Sequence, residues 1–172
     1  LADFPFYYQG QFRHARGAVV MPMESMHAVA QSKRDAFERA VLIHSVGRCG
    51  STLLSKMFGR AEQCLSLSEP DVYTQILADP FEPPAVEPLL ESTTRLYYQP
   101  APGRQPTHLV VKFRSFCIEL AEAMQRATPN STPIFLYRDI ERVIRSGMRV
   151  FRYSGAPLWL IDELHKWVVT RP

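Results

Sequence analysis

Cysteine is scarce in this chain. Three cysteines, at 49, 64 and 117, stand far apart in 172 residues, with no CxxC pair and no Cys/His cluster at zinc spacing. Nothing in that pattern requires a disulfide or a structural zinc. Long apolar runs are missing too. No stretch approaches the roughly 18 residues that cross a bilayer, and no signal peptide is visible. Net charge is small: Lys plus Arg is 20 and Asp plus Glu is 17, which leaves +3, too little to argue for a nucleic-acid partner. What is present is ordinary for a globular domain, 46% hydrophobic and 22% charged, and the length suffices for one domain with a real core. Both Leu1 and Thr170-Arg171-Pro172 stand in sequence that looks structured. The chain is therefore expected to be a piece of a longer one, truncated at its C-terminus. The compartment is not legible: the cytoplasm is favoured, and the Golgi lumen would require an anchor on the full chain. Oligomeric state is not legible.

A missing lysine tells the most. The apolar run Ala40–Ser45 reads as a buried strand. Gly47, Arg48, Cys49, Gly50, Ser51 and Thr52 follow, and then Leu53, Leu54, Met57 and Phe58 take up helical spacing, with the helix expected over 51–61. Strand, small-residue loop and helix together deliver backbone N–H groups and a helix N-terminus to an anionic phosphate. A nucleotide triphosphatase loop, GxxxxGK[ST], needs lysine where Ser51 stands and glycine where Ser45 stands. An ATPase or kinase would lose its principal cation, and only Asp139 could be offered as an acidic residue ending a later strand. Arg48 is the cation inside the loop instead. Gly50 permits close backbone approach, and Ser51 and Thr52 supply hydroxyls. A plain strand-to-helix turn capped by Ser51 is the bland alternative.

Residues 1–39 read as an N-terminal extension packed on an α/β domain over 40–172. The extension holds an aromatic cluster, Phe4, Phe6, Tyr7, Tyr8 and Phe12, which suits core packing or a stacking platform for a base or sugar. Ala18–Met21 is expected to be a short strand. Cys64–Ser68 reads as the second core strand, ending at Glu69-Pro70, and Asp71 is expected to cap a helix over 71–77. Seven prolines (80, 83, 84, 88, 100, 102, 106) fall within 79–107, so a short helix, Leu89–Tyr98, is expected between two proline-rich loops. A third strand, Leu109–Phe113, precedes a helix over Ile118–Ala127. Pro129 and Pro133 bracket a return loop, Ile134–Tyr137 is the fourth strand, and helices follow over Ile140–Phe151 and Leu158–Val169. The last carries Trp159, Leu160, Leu164 and Trp167 at amphipathic spacing. There is no internal repeat.

Alternating strands and helices predict an α/β fold with a central parallel sheet flanked by helices on both faces. Ligands of such sheets sit at the carboxyl ends of the strands. The polar motifs fall there: residues 47–52, Glu69, Lys112 with Arg114, and Arg138. Lys112 and Arg114 are two residues apart, so both can face the same side. From Arg138 to Arg152 five arginines stand against Asp139 and Glu141, an excess that suits a small polyanion or a solvated basic face. Arg138 offers a planar fork to phosphate, and Ser146, eight residues on, can share its helix face. His44 alternates within a buried run and reads as a satisfied core histidine. His108 lies at the amino end of its strand, the wrong end for catalysis.

At Arg48-Cys49-Gly50-Ser51-Thr52-Leu53-Leu54, and again at Phe135-Leu136-Tyr137-Arg138-Asp139 through Ser146, the chain resembles the sulfotransferases that use 3′-phosphoadenosine 5′-phosphosulfate. The resemblance covers roughly residues 40–152. It implies a P-loop NTPase-like three-layer sandwich and transfer of a sulfuryl group to a hydroxyl or amine of a small-molecule or carbohydrate acceptor, with no metal. It also implies that Gly47, Arg48, Cys49, Gly50, Ser51 and Thr52 hold the 5′-phosphosulfate and that Arg138 and Ser146 hold the 3′-phosphate. Glu69 resembles the base of carbohydrate-acting members, the alternative being a cap on the following helix or a structural ion pair with Arg48 or Lys112; Lys112 or Arg114 could reach the sulfuryl group or the acceptor, or be a surface-paired cation instead. Cys49 replaces the more usual serine. The family's C-terminal glycine-rich basic loop has no counterpart after Phe151, which leaves a second reading, a relative that binds the nucleotide without catalysis.

Overall fold

The computed structural model describes residues 6–33, 37–79 and 81–154, the side chains of 150–154 excepted. Two short helices come first, α1 (Tyr7–His14) and α2 (Met23–Gln31). Between them residues 15–22 are irregular, and Val19 and Val20 are exposed, so the strand expected over Ala18–Met21 does not form. Its β-branched residues have no neighbouring strand and no core to cover them. The extension does pack on the core, through Tyr7 and Met26.

The alternating part follows: β1 (Arg39–Ser45), α3 (Ser51–Phe58), β2 (Cys64–Ser68), α4 (Val72–Ala78), α5 (Pro83–Tyr97), β3 (His108–Lys112), α6 (Ala121–Ala127), β4 (Ser131–Leu136) and α7 (Ile140–Ser154). The four strands form one parallel sheet in the order β2-β3-β1-β4. The architecture is α/β, compatible with a three-layer sandwich. β1 is apolar without alternation because it is buried on both faces. Ala40 and Leu42 join Leu109, Val111 and Phe113 on the side of α4, α5 and α6. Ile43 and Val110 turn to the other side, where Leu54 and Phe58 of α3 cover them.

Three expectations on element bounds need correction. The short helix at 89–98 is a fifteen-residue helix, α5, that begins at Pro83. Pro83 and Pro84 stand in its first turn, where the missing N–H has no helical partner anyway. Pro88 lies inside the helix and forgoes one bond, a loss offset by burial of Leu89, Leu90, Ser92, Thr93 and Thr94 along the same helix. The helix expected over 118–127 divides into a 3₁₀ turn, Ser115–Leu120, and α6. Pro133 lies within β4 and not in a loop, which is tolerated because β4 is an edge strand. The helix expected over 158–169 lies outside the described residues. All three cysteines are free thiols. No helix among the described residues is long and apolar enough to cross a membrane.

Leu42, fully buried at the sheet centre, gives a direct test of this core. Leu42→Ala should lower unfolding stability by about 2–5 kcal/mol in urea denaturation, the cost of a cavity in a close-packed site.

Candidate functional site

Neighbouring strands β1 and β3 send their chains to opposite faces. β1 runs into α3 on one side, and β3 runs into the 3₁₀ turn and α6 on the other. Their carboxyl ends therefore part around a crevice, the topological switch point where ligands of open α/β sheets bind. Three backbone bonds extend the ladder just past the strands: Phe113 N–H to the Ile43 carbonyl at 3.0 Å, Glu69 N–H to the Lys112 carbonyl at 2.7 Å, and Val46 N–H to the Leu136 carbonyl at 3.0 Å. These bonds pin the start of each loop that carries a candidate residue.

The loop after β1 has the shape of an anion cradle. Gly50 is the N-cap of α3 at φ +95°, a conformation that glycine adopts without cost. Ser51 is thus the first helical residue and not the cap that the bland reading made it. Its buried hydroxyl accepts a bond from Ser45 Oγ at 3.0 Å and keeps its own hydrogen to donate. Because Gly50 has no side chain, no side-chain oxygen caps this helix end, and its positive dipole end faces the loop. Gly47, Arg48 and Gly50 are exposed, with Cys49 and Thr52 half-buried.

The arginines from the two motifs meet. Arg48 Nε donates to Ser146 Oγ at 3.0 Å, and Arg138 Nη1 donates to the Arg48 carbonyl at 3.1 Å. Ninety-eight residues separate Arg48 from Ser146, so the fold and not local sequence brings them together. Asp139 caps α7, its carboxylate accepting the Arg142 N–H at 3.1 Å. It already has a structural task.

Glu69, Lys112 and Arg114 form the opposite wall. Lys112 Nζ bonds to Glu69 Oε1. Arg114 lies 3.7 Å from Glu69 Oε2 and reaches Asp71 Oδ1 at 3.0 Å. Glu69 is therefore held between two cations and is not a lone carboxylate. Asp71 sits at the N-cap of α4, but its side chain makes no cap bond; it serves Arg114 and Gln75 instead. Two aromatics of the extension complete the cluster. Phe6 lies 5.7 Å from Lys112 Nζ, Tyr8 lies 4.5 Å from the Arg114 guanidinium, and the two rings stack at 5.8 Å. Among the described residues the non-glycines with positive φ are Arg48 (64°) and Glu69 (56°). Strained backbone of this kind, costing about 1–3 kcal/mol each, concentrates at functional sites.

His44 and His108 divide as the sequence suggested, with one correction. His108 is at the amino end of β3, bonded to Thr107 at 2.8 Å. His44 is buried but not satisfied: neither ring nitrogen has a partner among the described residues, and the ring stacks on Phe113 at 4.7 Å. Burial lowers its pKa from the usual 6.5. Sequence reasoning gave Phe6, Tyr8, Asp71 and Ser45 no definite place in the site. The aromatic cluster was the signal for the first two, and Ser45 is marked only by being the hydroxyl that ends an apolar strand.

Two clefts of 380 and 410 Å³ lie elsewhere, one between α5 and α6 at Pro84, Glu87 and Arg126, the other at the amino edge of the sheet by Arg39 and Ser131. Neither gathers the groups described above. Among the described residues no cluster of His, Cys, Asp or Glu is arranged to hold a metal. The chain was compared with known protein families, curated proteins and solved structures, and none of the three comparisons gave a match.

The unfolded chain protonates His44 near pH 6.5, whereas the folded chain holds it neutral to a lower pH. Its contribution to stability is thus complete above pH 6.5 and declines as pH falls toward the lowered folded-state value. Urea midpoints measured from pH 7 down to about pH 5 should fall more steeply in the wild type than in His44→Phe, which keeps the stack and removes the titration. The Lys112–Glu69 pair is largely buried. Lys112→Ala should destabilise the chain by less than the about 3–5 kcal/mol of a wholly unpaired buried charge, because Arg114 still stands 3.7 Å from Glu69, and Lys112→Met with Glu69→Leu should recover most of the loss in urea denaturation.

Proposed function

We propose that this chain is a sulfotransferase, moving the sulfuryl group of 3′-phosphoadenosine 5′-phosphosulfate to an acceptor hydroxyl or amine on a P-loop NTPase-like scaffold. The observation that carries the proposal is the meeting of Arg48, Arg138 and Ser146, members of two motifs separated by about ninety residues. Residues 47–52 would receive the 5′-phosphosulfate on exposed backbone N–H groups and the N-terminus of α3. Arg138 and Ser146 would take the 3′-phosphate, Ser146 with its own hydroxyl hydrogen and Arg138 with the donors that the Arg48 carbonyl does not use.

The reaction then has a place for each atom. The acceptor oxygen or nitrogen attacks sulfur, and its proton passes to the Glu69 carboxylate. The bond from sulfur to the bridging oxygen breaks, and adenosine 3′,5′-bisphosphate departs with the electron pair. Arg48 would stabilise the charge that develops on the bridging oxygen, and Lys112, bonded to Glu69, would offer its remaining N–H groups to the sulfuryl oxygens or the acceptor. A nucleotide triphosphatase is disfavoured by Ser51 in the lysine position and by the capping task of Asp139. The ion pairing of Glu69 favours a second reading, a module that binds the nucleotide without transfer.

Adenosine 3′,5′-bisphosphate at about a hundred times its Kd should raise the melting temperature by about 5–10 °C. Arg138→Ala should abolish the shift. Arg48→Ala should keep most of it and lower turnover at least about a hundredfold. No shift at millimolar ligand, or a larger one with magnesium and ATP, would sink the proposal. A shift with no sulfuryl transfer to a panel of sugars, phenols and amines would select the binding module.

A further inference from the structure

Resting on the sulfotransferase reading, we infer that Phe6 and Tyr8 of the N-terminal extension, with Glu69, Asp71, Lys112 and Arg114 beneath them, form the acceptor subsite, and that it takes a neutral ring bearing a hydroxyl. The extension is anchored for such a task. Tyr7 turns inward to an edge contact with Tyr97 at 5.5 Å, and this fastens α1 to the core. Its neighbours in sequence, Phe6 and Tyr8, lie over Lys112 and Arg114 at the carboxyl ends of the strands. Residues far outside the phosphate loop are thereby brought beside the candidate base.

Charge decides what this subsite accepts. The carboxylates of Glu69 and Asp71 are matched by Lys112 and Arg114, each paired within the cluster. An ammonium acceptor finds no unpaired carboxylate to receive it. An anionic acceptor finds no unpaired cation there, and it would approach a donor that already carries several negative charges. A neutral hydroxyl meets neither penalty. It can take a bond from the remaining Lys112 or Arg114 N–H groups and give its proton to Glu69. The ring that bears it is offered aromatic surface by Phe6 and Tyr8. Of the two acceptor classes, hydroxyl and amine, the cluster selects the first.

The test uses the chain with radiolabelled 3′-phosphoadenosine 5′-phosphosulfate and three acceptors: a phenyl glucoside, the matching glucuronide and the matching glucosaminide. The glucoside should show a KM at least about tenfold below the other two, a difference one lost polar or ionic contact accounts for. Tyr8→Ala and the bulkier Tyr8→Leu should each raise that KM by about tenfold. Both should leave kcat within about twofold and the melting shift with adenosine 3′,5′-bisphosphate unchanged, which also reports that they fold. A preference for either charged acceptor overturns the inference. So does an unchanged KM in both Tyr8 variants, or a failure to sulfate any of the three while the bisphosphate still binds. Absence of the bisphosphate shift in the wild type fails the sulfotransferase reading itself, and this inference falls with it.

Discussion

The hydrogen-bonded register of β1 is the constraint on which the rest of the structure depends. This strand is paired on both sides, to β3 and to β4, and is buried on both faces. Ile43 is aligned with Lys112, and Lys112 with Ser68, so three strands end level with one another. The ladder then continues by single bonds into each loop, through Phe113, Glu69 and Val46. A slip of one residue by β3 would turn Lys112 from one face of the sheet to the other, and a slip of β4 against β1 would put the loop glycines out of line with Arg138. Position at this site is thus a property of the sheet, and the loops inherit it.

The same edge concentrates what a structure optimised for stability alone would avoid. Two non-glycine residues hold positive φ, a lysine is buried against a glutamate, and a histidine is buried without a partner. The buried members are held by strongly apolar packing: Tyr73 and Phe113 are almost wholly enclosed, His44 stacks on Phe113, and Phe113 meets the edge of Tyr73. The buried pair is weak as a source of stability, since desolvation offsets most of the Coulomb attraction. Its value lies in fixing two side chains at one place.

Much of the fold was legible because its elements are marked by local chemistry. Cys64–Ser68 was recovered residue for residue, and β1, β3 and α7 to within a few positions, since apolar runs bounded by polar loops specify buried parallel strands. The errors came where tertiary burial overrides local preference. Pro88 argued against a helix that buries five consecutive-turn residues of α5, and Pro133 argued against a strand that tolerates it only at an edge. Val19 and Val20 argued for a strand that has nothing to pair with. In the site, the loop residues and the Arg138–Ser146 spacing were readable from the chain. The direct bond from Arg48 to Ser146, the aromatic cover on Lys112 and Arg114, and the diversion of Asp71 from capping to Arg114 were not.

By itself the sequence determined the class of the fold, the absence of the triphosphatase lysine, and the kinds of polar groups carried by the loops at the strand ends, because these depend on residue type and on spacing within a single strand–loop–helix unit. Only the tertiary structure decided which of those groups stand together. Strand order and register place Arg48 beside Ser146 and Lys112 beside Glu69, contacts of ninety-eight and forty-three residues' separation that no local pattern encodes. It also decided their pairing as a set, since Glu69 is held by two cations, Lys112 and Arg114, once the sheet aligns the strand ends.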